Sequence, residues 1–194
     1  MESTVADLTA DLFVTLDGFA AGVDTGAFFD CPGADLDAWV RRESEAPQIL
    51  VMGRVTYEAL AEISSSAVDE ASARMNDLPK AVFSNTLREP LSWKNTRLIH
   101  GDLAEGIGAL KWESEVPLRS IGSLMLVRGL LELGLVDRLR LMVFPLTLGG
   151  DGREPAFAGH PRTGLELAGT RVLDSRLVLL EYRPEGVSPP VRPA

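Results

Sequence analysis

The chain has 194 residues, 45% of them hydrophobic, with 28 acidic against 19 basic side chains and a formal net charge of −9. This length and apolar content suit a single domain with a sizeable core. The acidic balance excludes a protein that tracks a nucleic-acid backbone, which needs a basic face, yet leaves room for a local anion site. One cysteine, Cys31, excludes an internal disulfide framework, fits a reducing compartment and reads as a small apolar loop residue. His100 and His160 stand far apart in no ligand-spaced cluster, so no metal site is expected. The N-terminus lacks a basic start followed by a long apolar run, and no apolar stretch approaches the ~18 residues of a membrane span. A cytoplasmic protein with neither membrane nor nucleic-acid partners is expected.

In chain order, residues 8–16 read as a buried first strand that ends at Asp17-Gly18, a pair that favours positive φ. Residues 22–34, with three glycines and a proline, read as a loop. Residues 35–45 read as a helix with Asp35 as N-cap and Trp39 and Val40 facing inward. A strand at 48–52 runs into a helix at about 55–62, and residues 63–78 read as loop and short helix. Strands follow at 80–83 and 98–99, then a helix at 102–112 with Asp102 as N-cap and Leu103, Ile107 and Leu110 on one stripe. A strand at 117–121 breaks at Gly122-Ser123 before a helix at 123–133. A strong strand at 137–146 leads to a glycine-rich turn, and 164–173 with 175–183 suggest an antiparallel hairpin. This alternation predicts an α/β fold, a mostly parallel central sheet flanked by helices with antiparallel C-terminal edge strands. Residues 1–183 form one domain in this reading, and the Pro-rich tail 184–194 is expected to be disordered.

Three strand ends share a chemistry: Gly53-Arg54-Val55-Thr56, Ser84-Asn85-Thr86 with Arg88 nearby, and Gly122-Ser123-Leu124-Met125. A buried strand turning into a helix leaves free N–H groups and a positive dipole end, which hold phosphate. Small residues let a ligand approach the backbone, and hydroxyls and arginine supply donors. Each turn alone is ordinary turn chemistry; three in succession point to a dinucleotide lying across the sheet edge, although the chain lacks the GxGxxG fingerprint.

The order and spacing of TLDGFAAG at 15–22, LVMGRVTYEAL at 50–60, KAVFSNTL at 80–87, the run from Ile121 to Gly150, and Phe157 resemble the dihydrofolate reductase-like superfamily. Within it the resemblance is to the branch of the riboflavin-biosynthesis pyrimidine reductase domain, and it covers roughly residues 8–182. It implies an NADPH-dependent oxidoreductase acting on a small heterocycle, pyrimidine- or pterin-like, and a homodimer. Gly53, Arg54, Val55 and Thr56 would then meet the cofactor phosphates, and Ser84, Asn85 and Thr86 the adenosine ribose with its extra phosphate. Gly122, Ser123, Leu124 and Met125 would line the pyrophosphate and nicotinamide, with Thr15, Leu16 and Ala20 beside the nicotinamide. Two departures stand out. Ile121-Gly122 replaces the paired glycines of many relatives, and the basic residue common after the last glycine loop is displaced, with the acid Glu154 immediately beside Arg153.

Hydride transfer also needs a proton for the neighbouring atom. Folate reductases of this fold place a carboxylate near the start of the first helix, which makes Asp35 and Asp37 the catalytic candidates by resemblance. Both compete with structural roles, Asp35 as an N-cap and Asp37 in dipole pairing. Asp17 reads as turn-forming, Trp39 as core and His100 as an exposed loop residue. Arg128 and Arg153 are the nearest cations for a substrate phosphate of the type in 5-amino-6-(5-phosphoribosylamino)uracil. The competing expectation is a non-catalytic nucleotide-binding or interaction protein on the same fold; a third is a reductase from an antibiotic-type biosynthetic cluster.

Overall fold

The computed structural model describes residues 5–66 and 70–186; residues 187–194, most of the Pro-rich tail, lie outside this range. The strands are β1 (Leu8–Thr15), β2 (Phe19–Gly22), β3 (Ile49–Gly53), β4 (Lys80–Phe83), β5 (Thr96–Ile99), β6 (Leu118–Ile121), β7 (Arg138–Phe144), β8 (Gly152–Pro155), β9 (Leu165–Leu173) and β10 (Leu177–Pro184). The helices are α1 (Ala34–Glu45), α2 (Arg54–Ser66), α3 (Glu70–Asp77), α4 (Leu103–Glu113) and α5 (Leu124–Glu132).

Eight strands form one sheet in the order β5-β4-β3-β6-β1-β7-β10-β9. All pairs from β5 to β7 are parallel, while β10 runs antiparallel to both β7 and β9. The α/β sheet with antiparallel edge strands is the architecture read from the sequence. The chain leaves β1, builds β3, β4 and β5 outward, and then inserts β6 between β3 and β1. That reversal separates the connections beyond the carboxyl ends of the strands and opens a crevice there.

Alternation along the strands sorts the core onto two faces. Leu8, Ala10, Leu12 and Val14 of β1 join Val51, Ala81 and the stripes of α4 and α5 (Ile107, Leu110, Val127, Leu130). Each fully buried leucine or valine there contributes roughly 1.5–3 kcal/mol. On the other face Leu36 and Trp39 of α1 pack on Met142, Phe144 and the C-terminal hairpin, and Tyr57 of α2 packs on Leu50, Met52 and Val82.

Four segments differ from the sequence reading. Residues 19–22 and 152–155, where no strand was expected, pair as the small antiparallel sheet β2–β8. They are too short and glycine-rich to show alternation, and their pairing is long-range. α2 runs through Ser66, four residues beyond the expected end. Asp35 is not the N-cap of α1; Gly33 holds that position, and the capping carboxylate comes from Asp174 in the β9–β10 turn. A cap supplied from 139 residues away leaves no local signature.

Candidate active site

The crevice is a cleft of about 930 Å³ over the ends of β3, β4 and β6. Its floor is organised by one hydroxyl. Ser123 Oγ accepts from Gly53 N–H at 2.9 Å and donates to Thr56 Oγ1 at 2.6 Å. Because Ser123 is committed sideways, it makes no side-chain cap for α5, although it stands at the N-cap position. The first turn of α5 lines the cleft, and among the described residues its N-cap side chain makes no bond to the first-turn N–H groups, so the positive dipole end lies at the cleft. The direction of the bonds leaves the Thr56 proton as the last donor of the chain Gly53–Ser123–Thr56.

Gly122 and Ser123 both adopt left-handed backbone, with φ of 69° and 59°. The special step that the resemblance gives to a glycine pair is therefore made by Gly122 and Ser123, and Ile121 ends β6. Space is open where a Gly122 Cβ would stand, so the requirement for glycine is one of φ.

The second turn closes on itself and on its neighbour. Ser84 Oγ accepts from the N–H groups of Thr86 and Leu87, both at 3.1 Å. Asn85 Oδ1 accepts from Gly101 N–H at 2.8 Å and staples this turn to the β5–α4 connection. Val55 and Met125, in the first turns of α2 and α5, both line the cleft and are 67% and 69% exposed. Arg54 and Arg128 bring positive charge to the cleft; each is held by an exposed glutamate four residues on, Glu58 at 2.8 Å and Glu132 at 3.7 Å.

The structure thus brings Ala20, Gly53, Arg54, Val55, Thr56, Ser84, Asn85, Gly122, Ser123, Leu124 and Met125 to one cleft. Thr15, Leu16 and Thr86 do not line it. Thr15 is buried and donates to Asp17 Oδ1 at 2.6 Å, and Asp17 in turn accepts from the N–H groups of Leu148 and Gly149. These bonds, from Thr15 first and then Gly149, hold the Asp17 carboxyl below its ordinary pKa. Leu16 is 70% exposed outside the cleft.

Asp35 and Asp37 are also absent from the cleft. Asp35 is exposed and accepts from Asp174 N–H at 2.8 Å, completing a reciprocal cap with the hairpin turn. Asp37 is exposed in the first turn of α1, where a negative charge complements the dipole. Arg88 and Arg153 turn back onto local backbone carbonyls. His160 lines the cleft against Phe157, with ring centroids 5.7 Å apart. Burial first, and then Arg128, push its pKa down.

A second chamber of about 420 Å³ adjoins the cleft and shares Phe13, Ala20, Thr56 and Gly122 with it. Its walls are Phe13, Phe28, Phe29, Trp39, Val40 and Leu60, among others. Beside it lies a charge cluster between sheet and α1. Asp11 receives Arg119 Nε at 2.6 Å and Arg140 Nε at 2.6 Å, and Glu43 pairs with Arg140 at 2.8 Å. Both guanidinium groups lie over the Trp39 ring, at 5.4 and 5.3 Å from its centroid. Sequence reasoning missed this chamber and cluster. The available signal was a charge of each sign inside apolar strands, Asp11 in LTADLFVT and Arg140 in RLRLMVF, which the register places directly opposite.

Among the described residues no helix is long and apolar enough to cross a membrane, and no group of three or more His, Cys, Asp or Glu side chains could hold a metal ion. No curated protein matches the chain. Solved structures do. A protein assigned to riboflavin biosynthesis from Shewanella sp. PV-4 superposes with a TM-score of 0.68 at 20% identity, covering 92% of this chain and 99% of that one. Dihydrofolate reductase from Enterococcus faecalis, complexed with NADP(H) and RAB-propyl, gives 0.61 at 16% identity over 92% of this chain and 96% of that one. The diaminohydroxyphosphoribosylaminopyrimidine deaminase/5-amino-6-(5-phosphoribosylamino)uracil reductase of Thermotoga maritima gives 0.63 at 14% identity, with 93% of this chain covering 57% of that longer one. These likenesses establish the dihydrofolate reductase-like fold. The model of the RibD C-terminal domain family matches residues 6–179. With the sheet reversal, the three strand-end turns and this match together, the chain belongs to the RibD C-terminal domain family, a reductase family of the dihydrofolate reductase-like fold.

Proposed function

We propose that the chain is an NADPH-dependent reductase that passes hydride to a small pyrimidine- or pterin-like heterocycle. The observation that carries this reading is the Gly53–Ser123–Thr56 relay. It joins the start of α2 to the start of α5 and leaves the α5 terminus open to the cleft. The cleft volume stands at the upper end of the ~300–1,000 Å³ of ligand pockets, which suits a dinucleotide.

In this reading Gly53, Arg54, Val55, Thr56 and the Gly122–Met125 turn hold the pyrophosphate and the adjoining rings. Ser84 and Asn85 face the adenosine side, with Thr86 and Arg88 at its border. Exposed Val55 and Met125 give apolar cover to flat rings. When bound, the dihydronicotinamide supplies the hydride. The chain's own contribution is orientation and exclusion of water, and Thr56 Oγ1–H is a donor at the junction of the two chambers. We assign no proton step to Asp35 or Asp37.

Titration with NADPH and NADH tests this reading, followed by energy transfer from the tryptophans. Saturable binding with a preference for NADPH is expected; no binding of either at millimolar concentration would sink it. A specific observation favours a second reading, a non-catalytic nucleotide binder: among the described residues no carboxylate lines the second chamber. Oxidation of NADPH with a panel of pterins and aminopyrimidines separates the two, since a binder leaves NADPH intact. We also propose a homodimer through β9. That strand ends the sheet and exposes Leu165, Leu167 and Val172. Sedimentation at several concentrations checks it.

A further inference from the structure

We infer that the acceptor carries no phosphate, and that the second chamber takes an uncharged flat ring system of one or two rings. This rests on the reductase reading for the role of the ligand, but the argument itself comes from the chamber. Phosphate recognition needs an uncompensated cation or a row of free donors. Among the described residues the chamber has one charged side chain in its wall, Arg119. That guanidinium is already engaged. Asp11 takes its Nε and one terminal nitrogen, both at 2.6 Å, and Glu43 lies 3.8 Å from the other. The neighbouring Arg140 shares the same two carboxylates. Two positive and two negative groups form a closed, neutral set, and Trp39 covers the guanidinium planes. A phosphate would have to break this set to gain a partner.

Residues 25–29 form one wall of the chamber and bring no lysine or arginine to it. The walls instead suit aromatic faces. Phe13 stands edge-on to both Phe28 and Trp39, at 5.4 and 6.2 Å between centroids. Such a frame accepts a further ring by stacking or edge contact. Phe28, Phe29 and Asp30 all have φ between 52° and 54°, a left-handed run in bulky side chains. Strain of this kind persists where the surroundings impose it, commonly at ligand clamps. Here it places Phe28 in the chamber wall at 37% exposure. The few polar side chains, Thr25, Ser44, Gln48 and Thr56, are neutral; the first three are bonded to the backbone of Gly22, Arg41 and Glu43, and the Thr56 Oγ1 proton is left for a ring carbonyl.

The test uses the full chain with saturating NADPH and two probes that share a ring: 5,6-diaminouracil and 5-amino-6-(5-phosphoribosylamino)uracil. Lumazine serves as a two-ring probe. Calorimetry should show both bare rings binding, with the phosphoribosyl compound at least ten-fold weaker than 5,6-diaminouracil. Equal or tighter binding of the phosphoribosyl compound would overturn the inference. So would the absence of binding by both bare rings at millimolar concentration in protein shown by energy transfer to hold NADPH. A chain that fails to hold NADPH sinks the reductase reading instead, and the ratio of ring to phosphoribosyl binding then judges the chamber alone. Val40→Lys puts a free ammonium on the α1 wall and should improve phosphoribosyl binding ten-fold or more. Phe28→Leu keeps the wall apolar and should weaken lumazine several-fold. The wild-type ratio remains decisive if either variant folds poorly.

Discussion

Replacing Ser123 by alanine removes the acceptor of the Gly53 N–H and the donor to Thr56 in one step. The half-buried relay should lose about 1–3 kcal/mol of stability, the cost of an unsatisfied group, and NADPH affinity should fall with it. Denaturant midpoints and cofactor titration on the same samples would show both. Arg54→Ala separates the two effects. Its partner in the structure is the exposed Glu58, an i,i+4 pair worth about 0.3–0.5 kcal/mol, so folding should hardly change. Cofactor binding should weaken by about 1–3 kcal/mol if Arg54 meets a phosphate. An unchanged affinity would remove Arg54 from the site. At this scale the sequence was readable where chemistry and turn coincide, as at Gly53 and Ser123. It did not show that polar atoms of Thr15 and Asp35 are taken up by Asp17 and Asp174. His160 gave no local pattern at all, because its place in the cleft comes from the long connection after β8.

Helix α1 owes its start to another element. Asp174 Oδ1 and Oδ2 accept from the N–H groups of Asp35 and Leu36, at 2.9 and 3.0 Å. Asp174→Ala should therefore cost about 0.5–2 kcal/mol, the range of a lost N-cap, and Asp35→Ala should cost less. Thermal or urea unfolding of the two variants would order them; a larger effect at Asp35 would contradict the assignment. The strands on which α1 rests are tied to it by charge. Asp11→Ala leaves two guanidinium groups short of their shared acceptor and should destabilise by about 3–5 kcal/mol, as for other broken buried pairs. Element identity and order were legible from periodicity and from Gly, Pro and Asp punctuation, down to Asp102, which caps α4 through Glu105 N–H at 3.0 Å. The β2–β8 pair was not, since four-residue segments without alternation reveal themselves only when their partner is known.

For the molecule as a whole, pH reports on the cleft. His160 has its pKa lowered by burial and by Arg128, so the unfolded chain takes up this proton first. Its effect on stability is absent well above the unfolded value of 6.5 and grows unfavourable as pH falls from there toward the folded value. Asp17, lowered in the fold, adds stability above its unfolded value of 3.8 that is lost as pH falls through the folded value. Urea midpoints between pH 7.5 and 5.5 should thus fall less in His160→Gln than in the wild type, while the Asp17 effect should wait for stronger acid. The sheet class was predictable from alternating strands and helices, but the insertion of β6 between β3 and β1 was not, because strand order is decided by packing across the whole chain. The left-handed run from Phe28 to Asp30 has an evolutionary side as well. Glycine relieves such a backbone, so selection for heat resistance alone should drift toward glycine at these positions, while selection for turnover should keep the aromatic rings. Two laboratory lineages started from this one sequence would part company first in this loop.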